Sequence, residues 1–305
     1  MEDRGVTRAA GRPLIFGEVL FDRFKADHNE VLGGAPFNVA WHLQGFGLNP
    51  LFISRIGRDV LGERVEQAMD GWGMDTAAIQ YDQDHPTGVV EIEVNAGQPT
   101  FDIRAGAAYD FIDGETALER VRGGDWSLLY HGSLAVRHAT SHNALATIRR
   151  AAPLPVFLDI NLRAPWWTLS ATREMLRGQR WVKLNDDELR TLLGAPIDTM
   201  DEAAAEARRR YNIAWLLVTL GADGAIAAGP DASVRAKAAP VNHLVDTVGA
   251  GDAFSAVAIL GLSAGWPATT LLERATEFAA AVCQVRGATL SERAFYEKHL
   301  EKWGS

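Results

Sequence analysis

The chain holds one cysteine, Cys283, in 305 residues. That excludes a disulfide within the chain and a cysteine-built metal cluster, and a reducing cytoplasm is the natural setting. Cys283 itself reads as a small buried residue in AAAVCQV. Positive charge is scarce as well: 30 Lys and Arg face 39 Asp and Glu, a formal net charge of −9. Such a balance argues against a general nucleic-acid or anionic-membrane surface, though not against a local basic pocket. No apolar stretch of about 18 residues runs free of charge, so no membrane span is expected. The opening MEDRGVTRAAGR lacks the apolar heart of a secretion signal, and residues 1–12 read as a disordered tail. There is no Gly-Lys dipeptide, which removes the P-loop. GFGLNP and GWGMDT each lack the last glycine of a dinucleotide fingerprint.

What remains is ordinary globular material, 47% hydrophobic and 23% charged, enough for one large domain over 13–305. Four short apolar runs predict strands buried on both faces: PLIFGEVL (13–20), PLFISRIG (50–57), PVFLDI (155–160) and AWLLVTL (214–220). Between them lie helical patterns such as 59–73, where Val60, Leu61, Val65, Met69 and Trp72 can share a face. Alternating strands and helices predict an α/β fold with a mostly parallel sheet covered on both sides. One region breaks the rhythm. GVVEIEV (88–94) and TFDIR (100–104) alternate in and out around the turn-like NAGQP, which predicts a hairpin with one wet face. With 20–33 it makes a small β flap, its segments near 20–33 and 86–106.

Two motif matches are decoys. GLSAG (261–265) resembles a nucleophile elbow but ends a predicted helix, so Ser263 reads as structural. His138 and His142 lie four apart without the Glu of a metalloprotease pattern, and read as a solvated helix face. VDTVGAGDAF (245–254) is different. Gly249, Ala250 and Gly251 lead into a long helix whose open N–H groups and dipole suit an anion. A carboxylate there needs a reason. Asp252 either caps the helix or accepts a proton from a hydroxyl that attacks phosphorus. The motif alone leaves both open.

Its company decides. GEVLFD (17–22), GGAPFN (33–38), DINLRAPWW (159–167), KLNDDE (183–188) and VTLGADG (218–224), with VGAGD, resemble the ribokinase-like, or PfkB-type, carbohydrate kinases. The resemblance runs from about 14 to about 290, with the flavour of bacterial fructokinases. It implies a three-layer α/β/α sandwich with a small β lid, and an ATP-dependent kinase acting on a small sugar, fructose first and 2-keto-3-deoxygluconate second. A catalytically silent relative is the reading from another class, against which the intact GAGD and N-x-x-E stand. By resemblance, Asp252 is the base and Gly249, Ala250 and Gly251 form the anion hole. Asp22, Gly33, Gly34 and Asn38 bind sugar hydroxyls, and Arg163 lies near the substrate and the transferred group. Thr219, Gly221 and Gly224, with Asn185 and Gly251, belong to the nucleotide. Asn185 and Glu188 are associated with Mg2+ through water. A potassium ion beside Asp246 and Gly287 and a homodimer through the lid are also implied. Two departures stand out: Val248 replaces a common Thr, and Phe278 is bulkier than the residues usual near adenine, which leaves purine selectivity open.

Overall fold

The structure, a computed structural model, describes residues 11–26, 30–95, 98–194 and 197–304. Strands β1 (Arg12–Phe16), β2 (Leu20–Phe24) and β3 (Glu30–Gly33) come first, then α1 (Ala35–Gly45), β4 (Leu51–Gly57), α2 (Val60–Trp72) and β5 (Ile79–Asp82). The hairpin β6 (Gly88–Asn95) and β7 (Gln98–Ile103) precedes α3 (Gly114–Val121), β8 (Trp126–His131), α4 (Ala139–Ala151), β9 (Val156–Asp159) and α5 (Leu169–Leu176). Then follow β10 (Trp181–Asn185), α6 (Asp186–Leu193), α7 (Met200–Arg210), β11 (Trp215–Thr219), β12 (Ala225–Ala228) and β13 (Ser233–Ala236). Helices α8 (Ala250–Ala264), α9 (Ala268–Val282) and α10 (Arg293–Trp303) close the chain.

The main sheet has nine strands in the order β13-β12-β11-β10-β9-β8-β1-β4-β5. It is parallel from β11 through β5, with β12 and β13 antiparallel at one edge. Its strands alternate between two apolar layers, as a period of two requires. Ile15 joins Phe37, Trp41, Val65 and Phe254, on the side of α1, α2 and α8. Leu14 and Phe16 join Val121, Leu145, Leu189 and Ala204, on the side of α3, α4, α6 and α7. This is the three-layer sandwich. Chain order reverses at β1, between β8 and β4, and such a switch point opens a crevice at the carboxyl ends of the strands.

The chain after β1 leaves the main sheet there and enters a second one, ordered β3-β2-β6-β7. The β6–β7 and β2–β3 pairs are antiparallel, while β2 and β6 run parallel. Leu20, Val90, Ile92 and Ile103 form its apolar face with Tyr109 and Ala135. The face expected to be wet is only partly so. Glu91 is buried because Arg23 reaches it at 3.1 Å. The expected turn NAGQP contains 96–97, and the other flap segment contains 27–29; both lie outside the described residues, as do 1–10 of the expected tail. β1 begins at Arg12, which pairs with Asp75 at 2.7 Å.

Helix α2 is capped by Asp59, which accepts from the Gly62 N–H, and ends at Gly73 in the left-handed region. Val65, Met69 and Trp72 are buried, but Val60 is 70% exposed. Val60 lies five residues before Val65, a step of about 140° around the helix, so it leaves the shared face.

Candidate active site

Helix α8 begins at Ala250, two residues earlier than Asp252. Gly249 is the N-cap, at φ 80°, and has no side chain to cap with. A Cβ there would also meet the Ala288 Cβ at 2.5 Å, so only glycine fits the turn. The first-turn N–H groups are thus left without a side-chain cap, the condition for holding an anion. Asp252 is not the cap. It is the third residue of the helix, buried, and its Oδ2 accepts from Asn38 Nδ2 of α1 at 2.8 Å. Burial raises its pKa to about 6; Asn38 opposes this, Asp159 adds to it, and Lys183 and Arg163 oppose it. A carboxyl so placed is still mostly ionised at neutral pH and takes a proton more readily than an exposed one.

Asn38 leads to the sugar candidates. A Cβ on Gly33 would lie 3.7 Å from Asp22 Oδ2 and 3.8 Å from Asn38 Oδ1. Asp22, Gly33 and Asn38 are therefore one cluster joined to Asp252. Gly34, the N-cap of α1, sits against the Glu18 carbonyl. Burial raises Asp22 to about 6, and Arg163 opposes the shift. Arg163 is exposed, on the loop after β9, and donates to the Leu162 carbonyl at 3.3 Å. It does not pair with Asp159. Its charge instead pulls down the pKa of Glu18, Asp22 and Asp252. The same loop is tied to the small sheet, because Trp166 Nε1 donates to the Ile103 carbonyl at 2.8 Å. Arg137 lies 4.2 Å from the Trp166 ring and pairs with Asp110 at 2.8 Å.

The phosphate and metal candidates sit at the carboxyl ends of β10 and β11. Asn185 and Thr219 are register partners there. Thr219 leads into a turn containing Gly221 and Gly224, closed by the Leu220 N–H donating to the Gly224 carbonyl at 2.8 Å. Asn185 and Glu188 form a capping box at the start of α6: Glu188 N–H to Asn185 Oδ1 at 2.8 Å, Asn185 N–H to Glu188 Oε2 at 2.9 Å. Glu188 Oε1 also accepts from the Leu162 N–H at 2.7 Å. Each carboxylate oxygen keeps a lone pair, so this oxygen-only pair fits a hydrated hard cation held through water rather than a direct cage. Among the described residues no group of three or more His, Cys, Asp or Glu is arranged around a metal. Asp246 brings the other candidate loop together, accepting from Val248 N–H at 3.0 Å and Gly287 N–H at 3.3 Å.

The model of the pfkB family of carbohydrate kinases matches residues 25–294. The chain belongs to this family. A fructokinase of Escherichia coli is 30% identical over 260 residues, covering 82% of this chain and 83% of its own. A ribokinase of Arabidopsis thaliana is 26% identical over 247 residues, covering 78% of this chain and 63% of its own. The structure of a Xylella fastidiosa fructokinase with bound ATP superposes with TM-score 0.84 at 21% identity, covering 96% of this chain and 99% of that one. A Vibrio cholerae fructokinase with fructose, ADP and calcium does so at 0.78 and 24% identity, covering 94% and 98%.

Three features of this carbohydrate kinase escaped the sequence reading. Phe278 lines no nucleotide surface; it is buried among His42, Phe46, Phe295, Tyr296, His299 and Trp303. Its bulk therefore answers to core packing. Glu18, beside the cluster of Asp22, Gly33 and Asn38, is buried, and its Oε2 has no partner among the described residues. Lys183 is buried too, donating to both Asp159 oxygens at 3.1 Å each. A lysine inside the apolar run WVKLN was the available signal.

Proposed function

We propose that this carbohydrate kinase moves the γ-phosphoryl group of ATP onto a hydroxyl of a hexose, with fructose as acceptor. The observation that carries the reading is the 2.8 Å hydrogen bond from Asn38 to Asp252. It joins the hydroxyl-binding cluster to a buried carboxylate at an uncapped helix start. Asp22, Asn38 and the bare backbone at Gly33 and Gly34 hold the sugar through its hydroxyls. Asp252 accepts the proton of the attacking hydroxyl. That oxygen bonds to the γ-phosphorus as the bond to the ADP oxygen breaks, and the proton leaves later to solvent. Backbone N–H groups of 249–251 meet the negative charge of the transferred group, and Arg163 adds a cation from the loop side. The small sheet shuts water, a competing acceptor, out of the site.

Asn185 and Glu188 hold Mg2+ through water in this reading, and the ion supplies charge neutralisation on the phosphates when bound. Thr219, Gly221 and Gly224 lie along the nucleotide, and a potassium ion accompanies Asp246 and Gly287. A cytoplasmic homodimer through the small sheet completes it. Among the described residues β3 and β7 are the edges of that sheet, and an open edge favours pairing with a second copy. The E. coli relative's fructokinase activity supports fructose over other hexoses.

The test is ADP release from MgATP, coupled to NADH oxidation, with fructose, glucose, ribose, 2-keto-3-deoxygluconate and adenosine in turn. Release with fructose at the highest kcat/KM is the expected result. A higher value with 2-keto-3-deoxygluconate or adenosine would overturn the acceptor.

A further inference from the structure

Asp159 and Lys183 sit side by side on adjacent parallel strands, as register partners of β9 and β10. Alternation gives them the face of Phe157 and Trp181, the layer that α8 covers. Ser255 of α8 donates to Asp159 Oδ2 at 2.8 Å, so helix and pair are joined. The Lys183 ammonium lies 3.0 Å from where a Cβ on Gly251 would be. A buried cation is thus lodged directly under the first turn of α8.

That location is a poor one for stability alone. The positive end of a helix dipole repels an ammonium. A buried ion pair is also weak evidence for stability, because apolar residues of equal volume commonly do as well. The place makes sense if a further anion arrives above it. Asp159 neutralises the lysine from one side, Glu188 of α6 and Asp252 of α8 are its other acidic neighbours, and the helix start is left for phosphate oxygens. Gly251 is bare where the ammonium comes close.

We propose that Lys183 is a positioning residue of the phosphoryl transfer, supporting the first turn of α8 from beneath and adding fixed positive charge behind its N–H groups. This rests on the reading of that turn as the anion hole. It acts on the transferring group more than on the resting sugar, so its loss lowers kcat while the sugar KM stays put.

The experiment compares steady-state kinetics and thermal melting of four variants with wild type. Lys183→Met/Asp159→Asn removes the pair without stranding a buried charge. It is expected to melt within about 5 °C of wild type, with kcat at least tenfold lower and sugar KM within threefold. Lys183→Met alone should lose kcat at least as much, and Lys183→Arg, which keeps the charge, should recover most of it. Wild-type kcat in the double variant would overturn the proposal. So would its failure to fold, which would make the pair structural, or a Lys183→Arg no better than Lys183→Met. Asp252→Asn in the same assay separates the two claims. If it is silent while the double variant turns over normally, only the role of Lys183 falls. If Asp252→Asn turns over normally, the reading of the turn falls with it.

Discussion

Helices α6 and α8 both start after a strand or loop at the carboxyl edge of the sheet, and both carry an acid at their third position. In α6 the cap is Asn185, and Glu188 folds back so that its two oxygens accept the Asn185 and Leu162 N–H groups at 2.9 and 2.7 Å. In α8 the cap is Gly249, with no side chain, and Asp252 turns away from its own backbone to Asn38 on α1. One acid bonds to the backbone and the other to a side chain of a neighbouring helix. The cap residue makes the difference. An Asn consumes first-turn N–H groups, whereas a glycine leaves them for a ligand.

The largest effect should come from testing that division at Asp252. Asp252→Asn keeps size and can still bond Asn38, so it should melt close to wild type. Sugar-dependent ADP release should fall about 10²–10⁴-fold, the range of a lost general base. Turnover within tenfold of wild type would give the two acids the same architectural role. Gly249→Ala tests the cap. The added methyl group meets Ala288 at 2.5 Å in a left-handed backbone. A stability loss of about 1–3 kcal/mol is expected, with turnover reduced further because the N–H groups are displaced. Urea unfolding beside ADP release measures both.

Titration sharpens the contrast. With its carboxyl raised to about 6, Asp252 should give kcat/KM an acid limb near pH 6, where an exposed Asp would give one near pH 4. Glu18 differs again. Burial raises it from 4.5 to about 7, with its own backbone and Arg163 pulling it down and Asp252 pushing it up. The folded state therefore keeps a proton that the unfolded chain releases. The resulting stability is full below pH 4.5 and is lost as pH rises through about 7. Glu18→Gln does not titrate, so between pH 4.5 and 8 it should gain on wild type by about 3 kcal/mol. Urea melts at both ends check the sign. An unchanged gap would mean Glu18 is not a buried neutral acid.

How much of this was legible depended on whether chemistry or packing chose the residue. Glycines and acids at fixed spacing announce a helix start and a carboxylate beside it, so Gly249 and Asp252 stood out. Alternation announced the β6–β7 hairpin. What stayed hidden needed a third dimension. Glu188 reads as a metal-associated acid in sequence; its bond to the Asn185 N–H is a local capping box, but its bond to the Leu162 N–H appears only once β9's loop is folded beside α6. Lys183 looks like a stray charge until β9 places Asp159 in register with it and α8 covers both. Phe278 looked misplaced because which way α9 turns is set by α1 and α10, not by its own pattern. Arg163 reads in sequence as a cation near the substrate; only the fold shows that Lys183 takes the Asp159 carboxylate, while the charge of Arg163 pulls down the pKa of Glu18, Asp22 and Asp252.

The smallest effect belongs to α6, and it closes the comparison from the other side. Glu188→Ala breaks the capping box and frees the Asn185 and Leu162 N–H groups. Losing one arm of such a box costs about 1 kcal/mol, and a modest drop in melting temperature should follow. Leu162 precedes Arg163, so the loop facing the carboxyl cluster loosens as well. Turnover at saturating Mg2+ should fall far less than in Asp252→Asn, while the Mg2+ concentration for half-maximal rate should rise if Glu188 steadies the ion's water shell. Titrating Mg2+ at fixed ATP and sugar separates the two contributions: an unchanged requirement with lowered stability leaves Glu188 a capping residue alone. Silence as complete as that of Asp252→Asn, with melting unchanged, would erase the distinction between the two helix starts.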